Sequence, residues 1–276
     1  MKKYIALVLT LILALSAVTA LANEKITIGA TSNPHYIILD FIKDDLAALG
    51  YDLELVEFSD YVLPNQATAA GELDANYFQH KPHMVAFNQE VPENEQLVEV
   101  IGVHYEPFGI YPGTKKSLDE IAKGDSVLVP NDPSNEARAL FLLRDKGLIT
   151  LPENAQLTDK LTKLDVGDNP YELEIVEVNA ELIPSMLEDA SFATINGNYA
   201  IAAGFSPAKD ALFLEPVDGT SGQTYINYVV VRQDKVNEPF VEALKKALFT
   251  QKVKDFIDNS PDFGGGVIPV FEVPAQ

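Results

Sequence analysis

The chain has 276 residues, with 20 basic and 41 acidic side chains, a formal net charge of −21 and no cysteine. Without cysteine, disulfides and lipid attachment through a thiol are excluded. The acidic balance argues against a nucleic-acid partner, which needs basic patches, and against docking on anionic lipid. The length is ample for two domains of ordinary size, each with its own core.

The first 22 residues have the pattern of a secretory signal peptide. Lys2 and Lys3 precede a mainly apolar run over Ile5–Val18, and Ala20-Leu21-Ala22 supplies small residues for cleavage. The run is shorter than the roughly 20 residues that a bilayer-spanning helix needs. We therefore expect cleavage near Ala22 and an exported protein; a retained N-terminal anchor is the alternative.

From residue 25 onward, strand-like and helix-like segments alternate along the chain. Short apolar or alternating runs predict strands at residues 25–30, 53–58, 75–78, 97–111, 126–129, 173–178, 192–195 and 225–232. Apolar residues at helical spacing, often with a cap before or glycine after, predict helices at residues 33–50, 60–71, 82–88, 132–147, 182–187, 198–203 and 239–249. Beyond these we expect a loop-like end that contains Gly264-Gly265-Gly266 and Pro269.

The alternation predicts an α/β fold with mainly parallel sheets flanked by helices. The pattern runs twice, before Tyr111 and after Ser126, which indicates two lobes. Two extended stretches, Glu106–Tyr111 and Thr220–Asn227, are the natural connections, and the C-terminal helix is expected to return to the first lobe. The expected division is a signal peptide at 1–22, one lobe at 23–108 plus 226–276, and the other at 109–225. Ligands bind beyond the carboxyl ends of parallel strands, so a cleft between the lobes is the expected site.

Arg138 is the first candidate for ligand binding. It lies in the second turn of a predicted helix that Asp132 and Pro133 open. A helix N-terminus carries partial positive charge, and a guanidinium there adds a two-pronged clamp for a carboxylate. The alternative is a surface arginine paired with Glu136 or another acid.

Two more groups of candidates follow predicted strand ends. Tyr61, Phe78 and His80 could hold an apolar or thioether side chain, or could be core and rim residues. Asn196 and Asn227 each offer a donor and an acceptor, which suits the head group of a zwitterion. Capping or turn duty is the alternative for Asn196.

Two other classes of site stay open. All four histidines fall in the first lobe and, with Glu106, form a weak zinc candidate: His35, His80, His83 and His104. An exported hydrolase is the enzyme alternative, although the chain has no cysteine nucleophile, no GxSxG elbow and no phosphate-binding loop. We expect no metal, no cofactor and no catalysis.

Several stretches of the chain resemble one known family. They are YVLPN at 61–65, DANYFQHKP at 74–82, VPNDPSNEAR at 129–138 and PAKD at 207–210. In these stretches, and in order from about Ile26 to Pro269, the chain is similar to the methionine-binding lipoproteins of bacterial methionine ABC importers. One feature departs from that family: its members carry a lipobox cysteine, and this chain has none.

The resemblance implies a type II periplasmic-binding-protein fold with a ligand between two lobes. It places Arg138 on the ligand carboxylate, Asn196 and Asn227 on the amino-acid head group, and Tyr61, Phe78 and His80 around the side chain, with Glu106 bordering the pocket. The implied function is capture of methionine, as the L or D form, a close analogue or a methionyl peptide. The implied partners are the permease and ATPase subunits of an ABC importer. The missing cysteine favours a freely diffusing receptor.

Overall fold

The computed structural model describes residues 22–217 and 219–274. The predicted signal peptide, apart from Ala22, lies outside these residues. Among the residues described, no helix has both the length and the apolar character needed to span a bilayer.

The strands of the described residues form two separate sheets. Their bounds are β1 (Glu24–Thr31), β2 (Tyr51–Phe58), β3 (Ala75–His80), β4 (Leu97–Tyr105), β5 (Gly109–Pro112), β6 (Ser126–Pro130), β7 (Glu174–Val178), β8 (Phe192–Ile195), β9 (Phe213–Leu214), β10 (Ile226–Arg232) and β11 (Ile268–Pro269). The first sheet has the order β11-β4-β10-β3-β1-β2, and the second has the order β7-β6-β8-β5-β9.

Helices flank both sheets. The α-helices are α1 (Ile37–Phe41), α2 (Lys43–Ala48), α3 (Leu63–Ala69), α4 (Lys81–Asn88), α5 (Pro133–Asp145), α6 (Gly197–Ala202), α7 (Pro207–Asp210), α8 (Thr220–Thr224), α9 (Pro239–Leu248) and α10 (Gln251–Asn259). A π-helical turn spans Ser32–Tyr36, and 3₁₀ turns span Glu93–Glu95, Leu118–Glu120, Lys163–Asp165, Ala180–Asp189, Gln233–Lys235 and Pro261–Phe263.

The predicted α/β class is confirmed, but the sheets are mixed rather than mainly parallel. In each sheet a parallel set, β2-β1-β3 or β7-β6-β8, is extended by antiparallel strands. β10 runs antiparallel to β3 and β4, and β5 runs antiparallel to β8 and β9. β5 and β10 are the first strands that the chain enters after each of its two crossings between the sheets. The direction in which the chain enters each sheet therefore decides their orientation.

The chain passes between the sheets twice. It leaves the first sheet at Tyr105 and enters the second at Gly109, and it returns from Leu214 to Ile226. We call residues 106–108 the first passage and residues 215–225 the second passage. The parts of the chain built on the first and second sheets are called the first and second lobes below, and their division at these passages is a proposal.

Each sheet packs into its own apolar core. The first core joins Ile28 of β1 and Val229 of β10 to Leu244 of α9 and Ile257 of α10. The second core joins Val127 of β6 to Leu140 of α5 and Phe192 of β8, among others. The C-terminal helices therefore pack on the first sheet, as the two connections between the lobes led us to expect.

The chain is loop-like at Gly264-Gly265-Gly266, as expected, but α10 before it and the strand β11, which contains Pro269, were not predicted. Thr250 caps α10 by accepting a hydrogen bond from the Val253 N–H at 3.2 Å, and β11 then pairs with β4. Val253 and Ile257 are buried at spacing i, i+4. The remaining residues of this helix are mostly charged, which is why its short apolar stripe gave a weak helical signal.

Leu140 and Leu164 provide a matched test of the second core. Leu140 is 0% exposed in α5, whereas Leu164 is 88% exposed. We expect Leu140→Ala to lower the free energy of unfolding by about 2–5 kcal/mol, because it leaves a cavity in a packed core. Leu164→Ala should change it by less than about 0.5 kcal/mol. Urea denaturation followed by circular dichroism measures both, and equal losses would contradict the core assignment.

Candidate functional site

A small cavity lies between the two lobes. Its walls include all seven side chains predicted from sequence: Tyr61, Phe78, His80, Glu106, Arg138, Asn196 and Asn227. Most of them stand at or just beyond the carboxyl ends of β2, β3 and β8, or on the first turns of α5. Glu106 belongs to the first passage, and Asn227 lies near the start of β10. The structure thus brings the predicted residues together; their roles toward a ligand stay predictions.

Arg138 is buried and already paired. Asp132 caps α5 by accepting a hydrogen bond from the Asn135 N–H at 3.0 Å, which places Arg138 in the second turn. The guanidinium is 3% exposed and forms a forked pair with Glu215: Nε lies 3.1 Å from Oε1, and Nη2 lies 2.6 Å from Oε2. The surface pairing with Glu136 is therefore wrong.

The guanidinium is held on several sides. Nη2 also donates to the Glu106 carbonyl oxygen at 2.9 Å, and the Tyr225 ring lies 4.1 Å from the guanidinium carbon. Burial opposes the charged form, but the Glu215 carboxylate raises the pKa of Arg138 above its usual value. Among the described residues, Nη1 has no hydrogen-bond partner. One edge of the guanidinium is thus free to bind a ligand.

The orientation of Asn196 follows from the Asp132 carboxylate. A carboxylate can only accept, so the Asn135 amide must direct Nδ2 to Asp132 at 2.8 Å and turn Oδ1 the other way. That Oδ1 accepts from Nδ2 of Asn196 at 2.8 Å. The Asn196 Oδ1 is consequently left as a buried acceptor without a partner in the described residues.

The same amide oxygen fixes the proton of His80. Nε2 of His80 lies 3.1 Å from Asn135 Oδ1 and must donate to it, while its Nδ1 accepts from the His83 N–H at 3.3 Å. Burial, with the charge of Arg138, lowers the pKa of His80 to about 3. The ring is therefore neutral, and both of its nitrogens are already occupied.

Glu106 is the acidic group of the cavity, and two histidines lie behind it. Nε2 of His104 lies 2.6 Å from Glu106 Oε1, and Nε2 of His35 lies 3.5 Å from the same oxygen. Tyr77 hydrogen-bonds Nδ1 of His104, and Thr31 Oγ1 lies 2.8 Å from Nδ1 of His35. If both hydroxyls donate, both Nε2 atoms carry a proton; His104 donates its proton to Glu106 Oε1, whereas His35 Nε2 lies near that oxygen without a hydrogen bond to it.

The pKa values agree with this arrangement. Burial lowers the pKa of His104 to about 3 and that of His35 to about 4. Burial raises the pKa of Glu106, and the neighbouring His35 and Arg138 oppose the increase. The histidines are therefore neutral, and His104 donates a hydrogen bond to a carboxyl group whose burial raises its pKa.

His35 also determines what Asn227 offers to the cavity. The His35 Nε2 lies 3.1 Å from Asn227 Oδ1 and donates to it. The Nδ2 group of Asn227 then faces away from His35 and has no partner in the described residues. Asn227 thus contributes a donor to the cavity, where Asn196 contributes an acceptor.

The zinc candidate is only partly assembled by the fold. The ligand atoms of His35, His104 and Glu106 lie within 4.8 Å of one another, whereas His80 and His83 do not join them. However, 2.6 Å between His104 Nε2 and Glu106 Oε1 is a hydrogen-bond distance. The contacts to Tyr77 and Thr31 account for the remaining ring nitrogens, so hydrogen bonding explains the cluster without an ion.

Aromatic rings form the other wall of the cavity. The Tyr61 and Phe78 ring centroids are 5.8 Å apart, and the Phe78 and His83 centroids are 5.5 Å apart. The Tyr61 hydroxyl donates across the cleft to Asn198 Oδ1 at 2.5 Å. This wall suits an apolar or sulfur-containing side chain.

Comparison with known proteins agrees with the fold. A model of the NlpA lipoprotein family matches residues 26–271. The chain belongs to this family. The NlpA-family chain is 38% identical over 256 residues to the methionine-binding lipoprotein MetQ of Bacillus subtilis, covering 91% of this chain and 89% of that protein.

Two solved structures are closely similar to this NlpA-family chain. A lipoprotein from Ruminococcus gnavus superposes with a TM-score of 0.86 at 46% identity, and the match covers 90% of this chain and 100% of that one. A nutrient-binding protein from Burkholderia cenocepacia, bound to methionine, superposes with a TM-score of 0.82 at 36% identity, covering 89% and 100%. The expected family and its two-lobed architecture are thereby confirmed.

Sequence reasoning missed several cavity residues of the NlpA-family chain. Gln79, Asn135, Gly197 and Asn198 also line it, as does His83, which the sequence suggested only as a zinc ligand. Asn135 and Asn198 lie three and two residues from predicted site or cap residues, so the motif stretches could have suggested them. Gly197 directly follows the predicted Asn196, but the need for glycine there is visible only in the fold: a Cβ would lie 2.7 Å from the Glu106 Cβ.

Because His104 is buried and neutral, we expect the free energy of unfolding of this NlpA-family chain to depend on pH. The pKa of His104 falls from 6.5 to about 3 on folding, so between these values the unfolded chain holds a proton that the folded chain lacks. Stability from this group is therefore present above pH 6.5 and is lost as the pH falls.

We expect His104→Gln to remove this contribution while keeping a donor to Glu106. Between about pH 6.5 and pH 4, the parent should lose about 1.4 kcal/mol of unfolding free energy per pH unit relative to the variant. Urea unfolding at a series of pH values measures the difference. Parallel curves for the two proteins would contradict a neutral, buried His104.

Proposed function

We propose that this protein is an extracytoplasmic solute-binding protein that captures methionine, or a close analogue, and delivers it to an ABC importer. Support comes from the methionine-binding relative and from the methionine-bound structural neighbour. Further support comes from the position of the cavity between two lobes of the chain. The partners are the permease and ATPase subunits of the importer. The chain acts by binding, without catalysis and without a cofactor.

The observation that carries the proposal is the set of polar atoms that the cavity leaves unpaired among the described residues. Arg138 Nη1 and Asn227 Nδ2 are donors, and Asn196 Oδ1 is an acceptor. The Glu106 carboxylate, which lines the same cavity as Asn196, supplies negative charge. Two donors and an acceptor with an anion match the carboxylate and the ammonium of an amino acid.

Burial makes this match energetically necessary. Moving an isolated charge out of water is costly, so each end of a buried zwitterion needs a partner of opposite polarity. We assign the ligand carboxylate to Arg138 and Asn227, and the ammonium to Asn196 and Glu106. The side chain would lie against Tyr61 and Phe78, where a thioether makes favourable contacts with aromatic rings.

The two lobes contact each other directly around the cavity. The Tyr199 hydroxyl donates to the Ser59 carbonyl oxygen at 3.0 Å, and the Tyr61 hydroxyl donates to Asn198. A ligand that touches both lobes binds the closed form better than an open form and shifts the population toward closure. The importer would then recognise the closed shape.

We propose export by the signal peptide at residues 1–22, with cleavage near Ala22. The protein would not be lipid-anchored through a cysteine, because the chain contains none. N-terminal sequencing of the secreted protein tests the cleavage point. Recovery of the full-length chain in the membrane fraction would contradict it.

The cargo is tested by mass spectrometry of small molecules released from freshly purified, denatured protein. Methionine or a close analogue is expected at near-stoichiometric yield. Zinc in that protein, with binding lost in His104→Ala and kept in Asn196→Ala, would instead favour the metal-binding alternative. Turnover of a substrate without tight stoichiometric binding would favour the hydrolase.

Asn196 offers a cleaner test of the ligand contacts than Arg138, since Arg138→Ala would also leave Glu215 buried without its partner. We expect Asn196→Ala to weaken methionine binding by about 1–3 kcal/mol, because a hydrogen bond to a charged group is lost. Isothermal titration calorimetry measures the affinity.

Asn154→Ala is the matched control, because Asn154 is exposed in the same lobe and does not line the cavity. Its affinity for methionine should equal that of the parent. Parent-like affinity in Asn196→Ala as well would refute the assignment of the ammonium to Asn196.

A further inference from the structure

Glu215 is the one buried acid that contacts the proposed ligand-binding arginine but does not line the cavity itself. It lies at the start of the second passage and is 5% exposed. It stands 77 residues from Arg138 in sequence. Its two oxygens accept from Nε and Nη2 of Arg138, and this forked contact is the strong geometry for a guanidinium and a carboxylate.

Glu215 is itself fixed by both sides of the first passage. The Tyr105 hydroxyl, from the end of β4, donates to Glu215 Oε2 at 2.8 Å, and the Phe108 N–H donates to the same oxygen at 3.3 Å. The Glu215 N–H donates to the Phe108 carbonyl oxygen at 2.8 Å. The carboxylate therefore has a defined position before any ligand binds.

This geometry has two consequences for Arg138. First, Nε and Nη2 are occupied, so the guanidinium can present only its Nη1 side to the cavity. Second, the positive charge of Arg138 is balanced by a carboxylate at hydrogen-bond distance. With neutral histidines on the remaining walls, the cavity holds no excess positive charge to attract an anion.

We infer that Glu215 is a positioning residue that sets both the orientation of Arg138 and the charge preference of the site. The inference rests on the proposed function. In this arrangement the site accepts a carboxylate only when the ligand also carries its own ammonium. Zwitterionic amino acids bind. The same skeleton without the amino group is a net anion: the Glu106 carboxylate repels it, and Arg138, whose charge Glu215 balances, gives no net attraction.

The test compares two ligands in the full chain: L-methionine and 4-(methylsulfanyl)butanoate, which is methionine without the amino group. Calorimetry gives the affinity of each for the parent, Glu215→Gln, Glu215→Asp and Tyr105→Phe. The readout is the selectivity ratio, the affinity for methionine divided by that for the butanoate. Circular dichroism and thermal unfolding establish that each variant is folded.

Glu215→Gln keeps the shape of the side chain but removes its charge. We expect methionine affinity to fall about tenfold or more and the selectivity ratio to fall by at least about tenfold, since the cavity becomes more positive and favours the anion. Glu215→Asp keeps the charge but shortens the reach, and Tyr105→Phe removes one donor to the carboxylate. Both should weaken the two ligands together, with the ratio kept within about threefold.

A role in folding alone would lower methionine affinity in Glu215→Gln without changing the selectivity ratio, and that result overturns the inference. If Glu215→Gln does not fold, the other two variants decide: methionine affinity equal to the parent in both overturns the positioning role. A parent protein that binds no methionine overturns the proposed function and this inference together. That outcome is seen before any variant is measured.

Discussion

The ion pair between Arg138 and Glu215 holds together the parts of the molecule that form the cavity. Arg138 stands on α5 of the second lobe, and Glu215 opens the second passage. Tyr105 and the first passage hold the carboxylate, while Arg138 in turn donates to the Glu106 carbonyl oxygen. A buried pair of this kind is costly to break, because either partner alone would be an uncompensated charge. The two passages and α5 are therefore held in one fixed arrangement.

A second constraint starts at the Asp132 carboxylate and runs through amide groups. Because a carboxylate cannot donate, it sets the orientation of Asn135, and Asn135 sets the orientation of Asn196 and the proton of His80. Buried polar networks of this kind specify one arrangement when every member is satisfied. Here one atom, the Asn196 Oδ1, is buried without a partner in the described residues, and we propose that it accepts from the ligand ammonium.

The two networks divide the chemistry of the cavity between them. In the proposed binding mode, Arg138 and Asn227 supply donors for the ligand's carboxylate, and Asn196 with Glu106 supplies acceptors for its ammonium. His104 and His35 lie next to the Glu106 carboxylate, and because they are neutral they add no positive charge. We propose that the site therefore discriminates by the position of charge within the ligand, while the aromatic rings of Tyr61 and Phe78 contact the ligand's side chain.

Local patterns in the sequence predicted most helices and strands, the α/β class and the placing of six of the seven candidates at strand or helix ends that face a cleft; Glu106 was placed at the pocket only by the family resemblance. Periodicity, caps and strand ends report on neighbours within a few residues, so they were sufficient for this. The antiparallel strands, the burial of Arg138 and its pairing with Glu215, 77 residues away, were decided by the tertiary structure. Those features depend on which distant segments meet as the chain passes between two sheets. No local period carries that information, and the direction of each amide in the cavity depends on it.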